Sequence, residues 1–134
     1  MDLDHIVFNA VNIDKMIEFY SEVLGLPTER VEEYRSGQAP FPSLRINDVT
    51  IIDLFPKQLW QTKSHSGPGR ENLNHFCIAL SKEAWQDLQR RLEARGIPVE
   101  EGPVTRWGAR GDGTSIYFRD PERNLIEAKF YEAI

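Results

Sequence analysis

The strongest constraint in this chain is that it says nearly the same thing twice. Asp4-His5-Ile6-Val7-Phe8 leads into a helical pattern and then Gly25-Leu26-Pro27-Thr28-Glu29. Asn74-His75-Phe76-Cys77-Ile78 leads into a second helical pattern and then Gly96-Ile97-Pro98-Val99-Glu100. Gly25 follows His5 by 20 residues, and Gly96 follows His75 by 21. An internal repeat dictates architecture ahead of any local preference. It predicts two copies of one strand–helix–strands unit, each contributing a histidine from the middle of its first strand. One such unit buries too little apolar surface alone, so the two should pack together. The 134 residues therefore read as a single domain, 1–134, made of modules at about 1–58 and 72–134 with a connection at about 56–72.

Local signals fill in this outline. Residues 3–8 read as a strand buried on at least one face. Asn12 is the expected N-cap of a helix with Ile13, Met16, Ile17, Tyr20, Val23 and Leu24 at helical spacing, and Gly25 ends it. Strands are expected at 28–34, 41–46 and 49–55, with Asn47-Asp48 as a hairpin turn. In the second module a strand covers 73–80, Ser81 caps a helix with Trp85, Leu88 and Leu92 on one face, and Gly96 stops it. Residues 99–102 begin another strand. The run from Arg106 to Gly113 is too glycine-rich to read as regular structure. Residues 115–119 form a strand, 120–124 a turn, and 125–131 the closing strand. The sum is an α+β fold of two βαβββ modules forming a cupped mixed sheet.

Several function classes fall away on composition. A net charge of −5 leaves no basic surplus for nucleic-acid phosphates. No apolar run approaches a membrane span, and Asp2 is not a basic leader start. The single cysteine, Cys77, forms no intramolecular disulfide, so a cytoplasmic location is expected. A small-molecule substrate and a homodimer are the expected partners, the second because sheet edges invite a covering copy.

Chemistry is suggested by alternation along strands. Leu125, Glu127 and Lys129 share one face, whereas Ile126, Ala128 and Phe130 share the other; Ile51, Asp53 and Phe55 likewise share a face. A carboxylate within an apolar strand is costly to bury unless a cation compensates it. By the repeat, His5 and His75 are equivalent, and Asp53 and Glu127 roughly so. Two imidazoles and one or two carboxylates converging on one cavity would make a site for Zn, Fe(II), Mn, Co or Ni, with positions open to a substrate oxygen. Plainer readings exist for each. A strand histidine can be merely half-buried, Glu127 can be a rim residue paired with Arg123 or Lys129, Asp53 can support a turn or a ligand, and His65 reads as solvent-exposed.

His5, His75 and the closing run Ser115-Ile116-Tyr117-Phe118-Arg119-Asp120-Pro121-Glu122-Arg123-Asn124-Leu125-Ile126-Glu127 resemble the vicinal oxygen chelate superfamily. That group includes glyoxalase I, fosfomycin-resistance proteins, methylmalonyl-CoA epimerase, bleomycin-binding proteins and extradiol dioxygenases. Together with Glu100-Glu101-Gly102-Pro103-Val104, the run is particularly similar to glyoxalase-domain-containing proteins. The resemblance spans nearly the whole chain and implies paired modules around a divalent ion. It maps His5, His75 and Glu127 onto the three common ligands. Asp53 falls where glyoxalase I carries a fourth ligand, a glutamate, and its shorter side chain could serve as ligand, base or supporting group. Tyr117 matches a tyrosine that contacts phosphonate in fosfomycin-resistance proteins. The chain departs from that branch at Val7, where a threonine is expected, and near Pro40, where the hydrolytic members place a glutamate.

The resemblance implies a metal-dependent lyase or isomerase of the glyoxalase type, stabilising an enolate or oxyanion on a small oxygenated metabolite. Glu127 or Asp53 could move a proton. Tyr117, Arg106, Trp107 and Arg110 are the candidate substrate contacts, the last three on a segment read either as a mobile lid or as an exposed loop. An extradiol dioxygenase, a fosfomycin-modifying enzyme and a metal-free drug-binding protein are the competing functions.

Overall fold

The computed structural model describes residues 3–61, 73 and 75–132, which divide between two compact units, Met1–Arg70 and Glu71–Ile134. In the first unit, β1 (His5–Asn9), β2 (Thr28–Glu29), β3 (Ser43–Asn47) and β4 (Thr50–Phe55) form a mixed sheet in the order β1-β4-β3-β2. β1 runs parallel to β4, and β3 is antiparallel to both its neighbours. In the second unit, β5 (Phe76–Ala79), β6 (Glu101–Gly108), β7 (Gly111–Arg119) and β8 (Leu125–Phe130) repeat the plan as β5-β8-β7-β6, with β5 parallel to β8. The fold is α+β, with the same strand order in both units.

Each sheet packs one apolar face under a helix. α1 (Ile13–Glu18) starts where the Asn12 side chain accepts the Lys15 N–H at 3.0 Å, and it continues into a π-helical turn at Phe19–Val23. Met16, Tyr20, Phe8, Leu44, Ile52 and Leu54 are buried in that unit. In the second unit α4 (Lys82–Ala94) starts where Ser81 accepts the Ala84 N–H at 3.1 Å. Its buried Trp85, Leu88 and Leu92 join Ile116, Phe118, Ile126, Ala128 and Phe130 in the core, and the Trp85 indole donates to the Ala128 carbonyl at 2.9 Å. Side-chain alternation sends His5, Asp53 and Ser43 to the face opposite Ile52 and Leu54, and Glu127 and Lys129 to the face opposite Ile126 and Ala128.

Four expectations need correction. Residues 28–34 are not one strand: β2 stops at Glu29, Arg30 takes φ +61°, and α2 (Val31–Arg35) follows. Charges fall on both parities here, so a strand would have no apolar face to bury. A short helix with Glu32 and Glu33 in its first turn and Arg35 in its last suits the macrodipole instead. Within the connection, residues 57–60 form α3 (Lys57–Trp60), secured by the Trp60 indole donating to the Phe55 carbonyl at 3.0 Å. His65 and the rest of the connection lie outside the described residues. The histidines are not mid-strand: His5 opens β1, and His75 immediately precedes β5.

The largest correction concerns 106–113. These residues are the two arms of a regular hairpin, with β6 and β7 joined through Ala109-Arg110, Gly108 paired with Gly111, and Gly111 at φ +97°. The hairpin's other glycines answer to a neighbour. A Cβ on Gly113 would sit 2.7 Å from the Phe130 carbonyl and 3.0 Å from Lys129 Cγ, and one on Gly108 would meet the Tyr131 hydroxyl first and then Lys129 Cε at 2.9 Å. Phe130, Tyr131 and the long Lys129 side chain together fill the space that ordinary side chains would need. Gly113→Ala should therefore destabilise the protein by about 2 kcal/mol through overpacking. Gly37→Ala, at φ +85° with no neighbour within 4 Å, should cost only about 1 kcal/mol. Urea denaturation midpoints of the two variants test this order.

Candidate functional site

Cross-strand register builds the second unit's site row by row. Glu127 of β8 lies opposite Tyr117 of β7 and Cys77 of β5, and Glu101 of β6 lies opposite Tyr117. The Glu127 carboxylate divides its work. Its Oε2 accepts the Ser115 hydroxyl at 2.7 Å and lies 3.4 Å from Lys129 Nζ. Its Oε1 faces His75 Nε2 at 3.1 Å. The His75 and Tyr117 rings meet edge-on at 5.8 Å. Arg106 pairs with Glu101, and its guanidinium lies 6.0 Å from the Tyr117 ring.

Burial is the largest single influence on Glu127 and pushes its carboxyl pKa up, but the Ser115 hydroxyl, the Lys129 charge and a hydrogen bond from Tyr117 outweigh it. The net effect holds the carboxyl below its ordinary value. Tyr117 moves the other way: burial first, then the Glu127 charge, raise its phenol above its usual value. Beside this group is a cleft of about 320 Å³ lined by His75, Glu100, Glu101, Tyr117, Arg119 and Leu125. Arg119 donates to Glu100 at 2.7 Å there.

The first unit carries a smaller counterpart. Asp53 is buried, opposite Val7 on β1 and Ser43 on β3, and it accepts the Ser43 hydroxyl at 2.6 Å. His5 Nδ1 lies 2.8 Å from Asp4 Oδ2. The Asp4 hydrogen bond is the main influence on this imidazole and, with the charges of Asp53 and Asp4, raises its pKa above the ordinary value against the effect of burial.

The structure thus brings His75, Glu127, Tyr117 and Arg106 to one face of one sheet, and His5 and Asp53 to one face of the other. Trp107, 80% exposed, points to the opposite side of β6 from Arg106. Arg110 sits at the hairpin turn, its guanidinium 4.3 Å from the Tyr131 ring and its N–H donating to the Tyr131 hydroxyl at 3.2 Å. Sequence reasoning missed Ser43 and Ser115, and it named Lys129 only as a partner of Glu127 at a rim, whereas Lys129 is buried. A small polar residue within an apolar strand was the available signal for the serines.

Two donors bound to one ion at about 2.1 Å lie about 3.0 Å apart at right angles and about 3.4 Å apart at the tetrahedral angle. The 3.1 Å between His75 Nε2 and Glu127 Oε1 falls in that interval, and an ionised carboxylate beside an imidazole is a donor set suited to Zn, Fe(II), Mn, Co or Ni. Among the described residues, neither unit by itself gathers three or more His, Cys, Asp or Glu side chains around one point. The second unit supplies a pair.

Two predictions test these electrostatics. Because Glu127 titrates below its ordinary value in the folded chain, its contribution to stability is complete above the ordinary carboxyl pKa and is lost as pH falls through the depressed one. Ser115→Ala removes a charge-assisted hydrogen bond and should cost about 2 kcal/mol at pH 7. That deficit, read from urea midpoints, should shrink toward pH 3; a constant deficit would show that the hydroxyl does not serve the ionised form. Partial burial and then the nearby Glu127 charge push the Cys77 thiol up to about 11. Its thiolate fraction at pH 8 is about 100-fold below that of an ordinary thiol, and the higher nucleophilicity of a more basic thiolate offsets part of this. Alkylation by iodoacetamide should run about tenfold slower than for an unperturbed cysteine, and faster in E127Q.

Comparison with known proteins adds an independent line. A profile of the Glyoxalase/Bleomycin resistance protein/Dioxygenase superfamily matches residues 2–128. The chain is 37% identical over 131 residues to the glyoxalase domain-containing protein RDO1 of Mycosarcoma maydis, covering 97% of this chain and 68% of that one. It is 35% identical over 130 residues to the virulence protein STM3117 of Salmonella typhimurium, covering 96% and 83%. The crystal structure of that virulence protein superposes with a TM-score of 0.75 at 30% identity, covering 98% of each chain. A lactoylglutathione lyase from Agrobacterium tumefaciens shares the fold, at a TM-score of 0.67 and 24% identity over 96% of this chain and 92% of that one.

Proposed function

The chain belongs to the Glyoxalase/Bleomycin resistance protein/Dioxygenase superfamily, and on that premise we propose that it is a divalent-metal-dependent lyase or isomerase of the glyoxalase type. The observation that carries this reading is the His75–Glu127 pair, with one carboxylate oxygen engaged by the sheet and the other directed at the imidazole at 3.1 Å. His5, His75 and Glu127 would hold the ion, and the two units would act as one domain. When bound, the ion supplies Lewis acidity to two neighbouring oxygens of a small oxygenated metabolite.

The protein's own groups have separate tasks in this reading. Ser115 and Lys129 keep Glu127 ionised and oriented. Asp53, steadied by Ser43, is the proton acceptor or a further ligand. Tyr117 keeps its proton at neutral pH and would transfer its hydrogen bond from Glu127 to a substrate oxygen, and Arg106, anchored by Glu101, presents positive charge beside it. The cleft lined by His75, Tyr117 and Arg119 gives the substrate room. Trp107, on the opposite side of β6, and Arg110, at the hairpin turn against Tyr131, would contact substrate only at the hairpin's end. A homodimer in the cytoplasm completes the proposal, in keeping with the single cysteine. No helix among the described residues is long and apolar enough to cross a membrane.

Metal analysis of the purified protein tests the reading. One divalent ion per chain is expected, lost in His5→Ala, His75→Ala and Glu127→Gln. Turnover of a hemithioacetal, in a screen that includes fosfomycin and catechols, should fall by at least about 100-fold in each variant. Iron with catechol-dependent oxygen uptake would instead identify a dioxygenase. A protein that never retains metal would be a sequestering, drug-binding member.

A further inference from the structure

Lys129 is 1% exposed, the most deeply buried of the acidic and basic side chains among the described residues. Its stem runs past Gly113 and Gly108, where an added Cβ would meet the Phe130 carbonyl and the Tyr131 hydroxyl first and Lys129 at 3.0 and 2.9 Å next. Its ammonium donates to the Arg106 carbonyl at 2.6 Å, lies 3.4 Å from Glu127 Oε2, and is 5.7 Å from the Tyr131 ring. Lysine buries its charge at a high cost in solvation, and here a carboxylate, a carbonyl and a ring face are arranged to meet it. A lysine needed only for packing could be methionine or leucine, with no ammonium to accommodate.

We propose that Lys129 is a positioning residue of the metal site: its ammonium is the resident counter-charge of Glu127, holding the carboxylate in place in the ion-free protein and loosening its grip on a bound cation. The second half rests on the function proposed above; the first does not. The mechanism is electrostatic. With no ion present, Glu127 is a buried anion whose full positive partner is Lys129, so the site stays assembled while empty. A dication held by Glu127 would share the carboxylate with the Lys129 ammonium. Its attraction would be reduced, and it would keep more Lewis acidity for substrate oxygens. The ion, Lys129 and one carboxylate together also leave the site more positive than a simple two-histidine, one-carboxylate site. That favours substrates that bind through negatively charged oxygens.

The test uses the full chain and reads melting temperature and metal affinity. Lys129→Met keeps the stem and removes the charge. In chelator it should melt about 10 °C below the wild type, because it leaves a buried carboxylate uncompensated. Saturating Mn²⁺ or Zn²⁺ should restore most of the loss, and E127Q/K129M should restore it without any ion. Calorimetric titration should show K129M binding the same ion at least about tenfold more tightly than the wild type. The proposal is overturned if K129M melts with the wild type in chelator, if E127Q fails to relieve the loss, or if ion affinity falls. Should K129M not fold, folding of E127Q/K129M supports the counter-charge and its failure overturns it. A wild type that binds no ion removes the proposed function and the affinity claim together, while the melting temperatures in chelator still decide the counter-charge.

Discussion

A buried carboxylate is the constraint around which the second unit is organised. Glu127 sits in the middle of a central strand, 4% exposed, where an ionised group is stable only if its lone pairs and charge are answered. Ser115 and Lys129 answer one oxygen and His75 meets the other. Each of these partners imposes its own requirement. Lys129 runs close beside Gly108 and Gly113, which also make room for the Tyr131 hydroxyl and the Phe130 carbonyl; its ammonium needs a carbonyl, which Arg106 supplies from β6. The serine and the lysine answer one anion in a sheet.

The duplication shows what was kept and what was altered. Both units have the same strand order, with the first strand parallel to the last, and both place a carboxylate on the last strand across from the face packed under the helix. Both satisfy that carboxylate with a serine from the adjacent antiparallel strand, although Ser43 lies directly opposite Asp53 whereas Ser115 lies one row away from Glu127. The difference lies two residues on. Where the second unit has Lys129, the first has Phe55, whose ring meets Phe41 at 4.8 Å. One carboxylate is balanced by a buried ammonium and the other sits beside aromatic rings.

Much of this was readable in the chain. Asn12 and Ser81 announced their helices because an N-cap is a local hydrogen bond, settled within three residues. The alternation of Glu127 and Lys129 with Ile126 and Ala128 was equally legible, since side-chain direction along a strand follows from the backbone alone. The errors were also physical. The segment after Glu29 has no apolar face in either parity, so strand propensity had nothing to bury and a helical turn prevailed. The 106–113 run looked irregular because glycine ordinarily weakens strands, and the reason for it here lies on a different strand.

By itself the sequence determined that this chain folds as a duplicated βαβββ plan and that each copy carries a histidine and a carboxylate on one sheet face. Those properties rest on periodicity, caps and residue chemistry, all of them local. Only the tertiary structure decided which oxygen of Glu127 faces His75, that Lys129 turns inward to become its counter-charge, and that Arg106 joins that face while Trp107 does not. These depend on strand register and on the room between strands, and both are set by residues distant in sequence.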